Sequence, residues 1–195
     1  MYLNDKLDDC VMAARAHHTL RLAWDGVHAL PAISNDDVSR EYFKETDGPD
    51  DGLDLQESLD EWKKIGWTIG RDRTMRKING YSGPYSVNGD AIADGNPSME
   101  LSQQQLKAII FSSIGAEIIL SLPEGISVTN KNSFGPGHPW HDTSGSEWES
   151  HVMLLTGYDK DGFLGITWAQ RQKMTWEFLK TYCYGVFFVE KSETT

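Results

Sequence analysis

The stretch ESHVMLLTGYDKDGFLGITWA, residues 149 to 169, reads as two apolar strands around an Asp-Lys-Asp-Gly turn. Its hydrophobic runs are short and bounded by turn-forming residues, the pattern of strands buried in a sheet. His151 heads the first strand, and Thr167 with Trp168 ends the second, sixteen residues later. Toward the C-terminus follow a short helix at TWEFLKTYC (175–183) and a last strand at GVFFVEK (185–191). Toward the N-terminus, AEIILSL (116–122) is a further buried strand, preceded by a helix that Ser102 caps and Gly115 ends. Between Pro123 and Ser150 lies a stretch rich in Gly, Pro and Ser. It is too long for an ordinary connection and is expected to be functional or mobile.

The first third of the chain carries a helical period instead. CVMAARAHHTLRLAWDG (10–26) has no Pro or Gly before Gly26, and Asp8 or Asp9 stands where an N-cap belongs, so a helix opens at or just before Cys10. Ser34 and Asp37 form a capping-box pattern for a second helix running to Gly48. Leu55, Leu59 and Trp62 share one face of a third helix, which Gly66 ends. Residues 67 to 97 read as short strands and loops. Helices first and strands last define an α+β fold, a helical side packed on an antiparallel sheet, in a single domain spanning 1–195.

Composition narrows the function. Lys and Arg total 18 against 29 Asp and Glu, giving a net charge of −11 and a pI near 4.9. Such a surface repels phosphate backbones and anionic headgroups, so neither nucleic acid nor membrane is an expected partner. The start MYLNDKLDD lacks the basic-then-apolar profile of a signal peptide, and a cytoplasmic location is expected. Cys10 and Cys183 are too few and too far apart for a disulfide framework or a thiolate metal site, and no cofactor motif is present.

In a reducing compartment the position of a cysteine matters. Cys10 opens a helix, whose positive end favours a thiolate, while Asp8 and Asp9 oppose it. Of the six histidines, His151 is the best-placed base, since a strand-end His facing a helix-start Cys builds a nucleophile and base from distant segments. His138, His141 and Asp142 have metal-ligand spacing but sit in the flexible-looking loop, and no metal site is assigned to them. His17 and His18 on the first helix read as packing or solvent residues. Trp168 and Trp140 have the bulk to line a cleft or shield a histidine from water.

Taken in order, Cys10 at a helix start, His151 leading an apolar strand to Gly157-Tyr158, and Thr167-Trp168 beyond it resemble the papain-like cysteine peptidases. The chain looks closer still to a group of small bacterial and phage proteins with papain-like sequence. There the equivalents are NDKLDDC (4–10), ESHVMLLTGYD (149–159), GITWA (165–169) and MTWEFLKTYC (174–183). The resemblance implies that Cys10 is the nucleophile, His151 the base, Thr167 the residue orienting the imidazole, and Asn4 the oxyanion donor. The substrate would be a peptide or protein, with the cleft between helical side and sheet.

Three positions depart from the papain pattern. Asp8 replaces a glycine, Asn4 is one methylene shorter than the family's Gln, and Thr167 replaces an Asn. These departures support an alternative: an inactive papain-like binding or structural module, for example a phage particle component, with a protein assembly as its partner. A plain α+β binding protein without papain relation is the third reading.

Overall fold

The computed structural model describes residues 2–89, 99–123, 125–126, 135, 137–141 and 147–190, with the side chains of 147 and 148 outside that set. Its helices are α1 (Cys10–Val27), α2 (Asn35–Glu45), α3 (Leu55–Lys64), α4 (Gln103–Ser113) and α5 (Trp176–Tyr182). The strands are β1 (Trp67–Ile69), β2 (Thr74–Arg76), β3 (Tyr81–Tyr85), β4 (Ala116–Pro123), β5 (Glu147–Tyr158), β6 (Phe163–Thr167), β7 (Gln170–Met174) and β8 (Cys183–Val189). Most of the loop read between 123 and 150 lies outside the described residues.

Side-chain caps fix where the helices after α1 begin. Ser34 and Asp37 close a reciprocal capping box at α2, and Ser102 and Gln105 do so at α4. Asp54 and Thr175 accept N–H groups at the starts of α3 and α5. Each such cap contributes roughly 1 kcal/mol. α1 is the exception: Asp9 holds the N-cap position but its side chain does not cap, because φ −91° and ψ 25° differ from the extended conformation of the other caps. α4 ends on Ile114, at φ 70°, one residue before the glycine expected to end it.

The main sheet is antiparallel throughout and has the order β3-β8-β4-β5-β6-β7. Period-two alternation gives it two apolar faces. Val186 and Phe188 of β8 enter a core with α4 and α5, while Phe187 and Val189 enter another with α1, α2 and α3. Fully burying a large apolar side chain such as Leu59 or Phe178 stabilises by roughly 1.5–3 kcal/mol. β7 has no counterpart in the sequence reading. Its segment, QRQKM, is polar because it is the sheet's edge strand and only Gln172 and Met174 turn inward.

Buried charges lock α1 between its neighbours. The Arg15 guanidinium forks onto both Glu45 oxygens, at 2.6 and 3.2 Å, and also meets Ser58 Oγ. One turn on, His18 Nδ1 lies 2.9 Å from Glu117 Oε1 of β4, with both side chains withdrawn from solvent. His18 is therefore the packing residue of its pair, while His17 lies against the Tyr2 ring. This clamp sets the start of α1 against β5.

Candidate active site

The N-terminal segment makes one tight turn before α1, with Leu3 at φ 67° and its carbonyl accepting from Lys6 and Leu7 N–H. That turn sets Asn4 on the wall of the cavity that Cys10 also lines. The loop before α3 is drawn to the same place by Asp50, whose Oδ1 accepts from Asp8 N–H at 2.9 Å and Tyr42 O–H at 2.6 Å. Between these segments and β5 opens a cavity of about 730 Å³. Asn4, Cys10, His151 and Trp168 all line it.

Cys10 is the first residue of α1, so its own N–H is among those a helix leaves without an intrahelical partner. Its sulfur accepts the Val152 N–H at 3.4 Å and so abuts the peptide unit that follows His151. The residue keeps some exposure along the cavity, but the sulfur sits deep among protein atoms. Burial pushes the thiol up to about 11; the Val152 N–H works against this, and the Asp9 and Asp8 charges add to it. The opposition of these two aspartates, expected from sequence, reinforces the burial, with Asp9 counting for less than the Val152 donor and for more than the Val11 donor.

His151 is 3% exposed and sits opposite Leu120 on the neighbouring strand. Its Nε2 lies 2.7 Å from Thr167 Oγ1, and the other ring nitrogen, Nδ1, has no hydrogen-bond partner among the described residues. In the tautomer whose Nε2–H donates to Thr167, Nδ1 is left as an acceptor, and the residue lines the cavity. Burial holds the imidazole down at about 4. Both burial shifts favour the neutral forms, thiol and imidazole, near neutral pH.

A two-residue turn joins β6 to β7, pairing Thr167 with Gln170 across Trp168 and Ala169. Both turn residues have positive φ, 45° and 58°, a conformation that favours glycine. Its consequence is that the Trp168 indole lies on the His151 ring, centroids 4.8 Å apart. Trp140 is placed differently from the cleft position expected of it. It is 3% exposed, packs edge-on behind Trp168 and against Phe178, and does not line the cavity. Hydrophobic burial in the sheet-side core accounts for that position.

Asp9 immediately precedes Cys10. It is fully buried, and among the described residues neither carboxylate oxygen meets a donor at hydrogen-bonding geometry. Burial raises its pKa to about 7, the nearby Asn4 amide pulls it partly back, and Asp50 raises it again. The cavity wall also contains residues that sequence reasoning missed: Asp51, Gly52, Leu53 and Asp54 from the loop, and Glu149 from β5. The acidic DGPDDG run was the available signal, but it reads as a spacer until Asp50 is seen docking it on Asp8.

Among the described residues no group of three His, Cys, Asp or Glu side chains is placed to hold a metal ion. His138 and His141 are exposed, and Asp142 lies outside the described residues. Cys10 and Cys183 are both free, with Cys183 buried in the sheet. No described helix is long and apolar enough to cross a membrane.

No family model matches the chain, and no curated protein matches its sequence. Solved structures do match. Xylellain, a cysteine protease from Xylella fastidiosa, is similar with a TM-score of 0.66 at 13% identity, over 95% of this chain and 80% of that one. The Carica candamarcensis cysteine protease CMS1MS2, solved in complex with E-64, is similar with a TM-score of 0.59 at 10% identity, over 96% and 90%. With helices leading into an antiparallel sheet and Cys10 on the first helix, the chain has the papain-like cysteine-protease fold.

Proposed function

We propose that the whole chain acts as one cysteine-nucleophile amide hydrolase on peptide or protein substrates. The observation that carries the reading is the Cys10 sulfur against the Val152 N–H, on one cavity with a His151 whose Nε2 is anchored by Thr167. As the Cys10 sulfur bonds to the substrate carbonyl carbon, its proton passes to His151 Nδ1. The Asn4 amide and the Cys10 N–H receive the developing oxyanion. The C–N bond then breaks, and His151 returns the proton to the departing amine. Water attacks the thioester, gives a proton to His151, and releases the acid with Cys10 restored as thiol. The cytoplasmic or phage setting read from the sequence belongs to this proposal as well.

The test is intact-mass analysis after exposure to an electrophilic peptide probe. Native protein is expected to take one adduct, at Cys10 and not at the buried Cys183, and His151→Ala to take it far more slowly. Equal labelling of both cysteines, or none in folded protein, contradicts the reading.

A non-catalytic binding module is favoured by one observation, the Asp8 and Asp9 charges that help keep the thiol protonated. On that reading the probe leaves native Cys10 unmodified while peptides still bind in the cleft.

A further inference from the structure

A second cavity, of about 390 Å³, shares no lining residue with the one that holds Cys10. Thr19, Leu22, Ala23 and Gly26 line it at helical spacing, so it runs along one face of the second half of α1 rather than off the end of the helix. Trp62 of α3, Arg76 of β2 and Lys77 form much of the opposite wall. Leu22 stands roughly 18 Å along the helix axis from Cys10, at 1.5 Å per residue.

Polar atoms that the fold leaves without partners single this cavity out. Eight buried side-chain nitrogen or oxygen atoms of the described residues lack a hydrogen bond. Three of them, Thr19 Oγ1, Trp62 Nε1 and Arg76 Nε, belong to the eleven residues that line the cavity. Thr19 is 3% exposed and Trp62 1%. A buried donor without an acceptor is costly, and a ligand that supplies the acceptor removes the cost.

The chemistry of these atoms defines what is missing. The indole and guanidinium nitrogens only donate, and the hydroxyl donates or accepts, so the absent group is an acceptor. Arg76 and Lys77 set two cations on the wall against one carboxylate, Asp25, an excess of one positive charge in a chain of net charge −11. Lys77 Nζ donates to the Lys64 carbonyl oxygen at 2.7 Å and keeps two further N–H groups. A monoanion balances that excess. Leu22, Val27, Met75 and Ile114 supply apolar surface on the same wall, and Val27 and Met75 are more than half exposed until something covers them. The volume suits a small molecule.

We infer that this cavity binds a monocarboxylate on a short aliphatic stem. The carboxylate takes the Trp62, Arg76 and Thr19 donors, and the stem covers Leu22, Val27 and Met75. The site stands apart from Cys10, and nothing in it depends on the hydrolase reading.

The test is a titration of the ¹⁵N-labelled chain with 4-methylpentanoate at low salt, read on the assigned indole N–H signals. The Trp62 signal is expected to move and to saturate in the millimolar range, while that of Trp168, on the Cys10 cavity, stays in place. The uncharged amide of the same acid is expected to bind roughly tenfold or more weakly, as is the acid itself to Arg76→Gln. Lys77→Gln, at an exposed position, is expected to weaken the acid by a smaller factor. Inorganic phosphate, which brings charge without a stem, is expected to bind more weakly than the acid. The same group occurs on a free acid and at the end of a chain, so N-acetyl-leucine is titrated beside it; binding of either supports the proposal, and the tighter of the two names the source. A Trp62 signal unmoved at tens of millimolar acid overturns the proposal. So does amide or phosphate that binds as tightly as the acid, or an affinity that survives both Arg76→Gln and Lys77→Gln.

Discussion

Thr167 Oγ1 lies 2.7 Å from Nε2 of His151, and the strained turn after Thr167 lays Trp168 on the same imidazole. One hairpin end therefore anchors one ring nitrogen and sets the tilt of the ring. A threonine stands here where the papain pattern has an amide, with one rotatable bond fewer between its oxygen and the backbone.

Thr167→Val keeps the shape and removes the hydroxyl. Turnover is expected to fall roughly 10- to 100-fold, less than the 10²- to 10⁴-fold a general base supplies, because His151 itself remains. An unpaired buried nitrogen also costs about 1–3 kcal/mol. Thr167→Ser is expected to restore the rate, and steady-state kinetics on the two variants checks the pair.

The pH profile follows from two burial shifts. An imidazole must be neutral to take the thiol proton, and His151 is held at about 4, so kcat/KM is expected to rise through about pH 4 and level off toward neutrality. Alkylation by a small reagent needs thiolate, and with Cys10 near 11 its rate is expected to keep climbing into the alkaline range. Asp9→Asn removes a charge that raises the thiol and moves that curve to lower pH. An alkylation plateau already present at about pH 5 would show an ion pair instead.

Asp9 also sets a stability slope. Its folded pKa of about 7 lies above the ordinary 3.8, so between these values the folded state holds a proton that the unfolded chain has released. Its contribution is full below about 4 and is lost as pH rises toward 7. The shift corresponds to at most about 4 kcal/mol. Relative to the parent, Asp9→Asn is expected to gain stability across that window and hold the gain above it. Urea unfolding at several pH values reads this directly. His151, lowered from 6.5 to about 4, gives the parent and the variant the same opposite slope and cancels from the comparison.

The charge clamp on α1 is expected to respond asymmetrically. Glu45→Ala leaves the Arg15 guanidinium, 1% exposed, buried without its carboxylate, at a cost of about 3–5 kcal/mol. Arg15→Met together with Glu45→Gln removes both charges and keeps most of the volume, and is expected to cost clearly less. Equal losses in urea unfolding would mean that packing, not charge, is what Arg15 supplies.

Local chemistry was legible in the sequence wherever the cause was local. The Ser34–Asp37 box and the Ser102 cap act within three residues, and the apolar runs of β4, β5 and β6 declare a buried sheet by themselves. Pairing made in three dimensions was not legible. QRQKM is a strand only because β6 pairs with it, and His18 is a buried partner only because Glu117, 99 residues on, reaches it. The order of Cys10, His151 and Thr167 could be read, but the wall around them could not. Asp50 joins that wall to Asp8 across 42 residues, and no pattern in DGPDDG announces the contact. Asp9 misled for a physical reason: it has the composition of an N-cap, yet its backbone leaves the extended region and turns the carboxylate inward.

The central claim is that Cys10 and His151 together break amide bonds. Its most direct measurement is hydrolysis of a mixed peptide pool in ¹⁸O-water, with new carboxyl termini read by mass spectrometry. The parent chain is expected to produce ¹⁸O-marked termini, and Cys10→Ser and His151→Ala, both folded by circular dichroism, to produce none above the uncatalysed background. Folded parent protein that yields no marked termini at high enzyme concentration, or a Cys10→Ser variant that matches the parent, would contradict it.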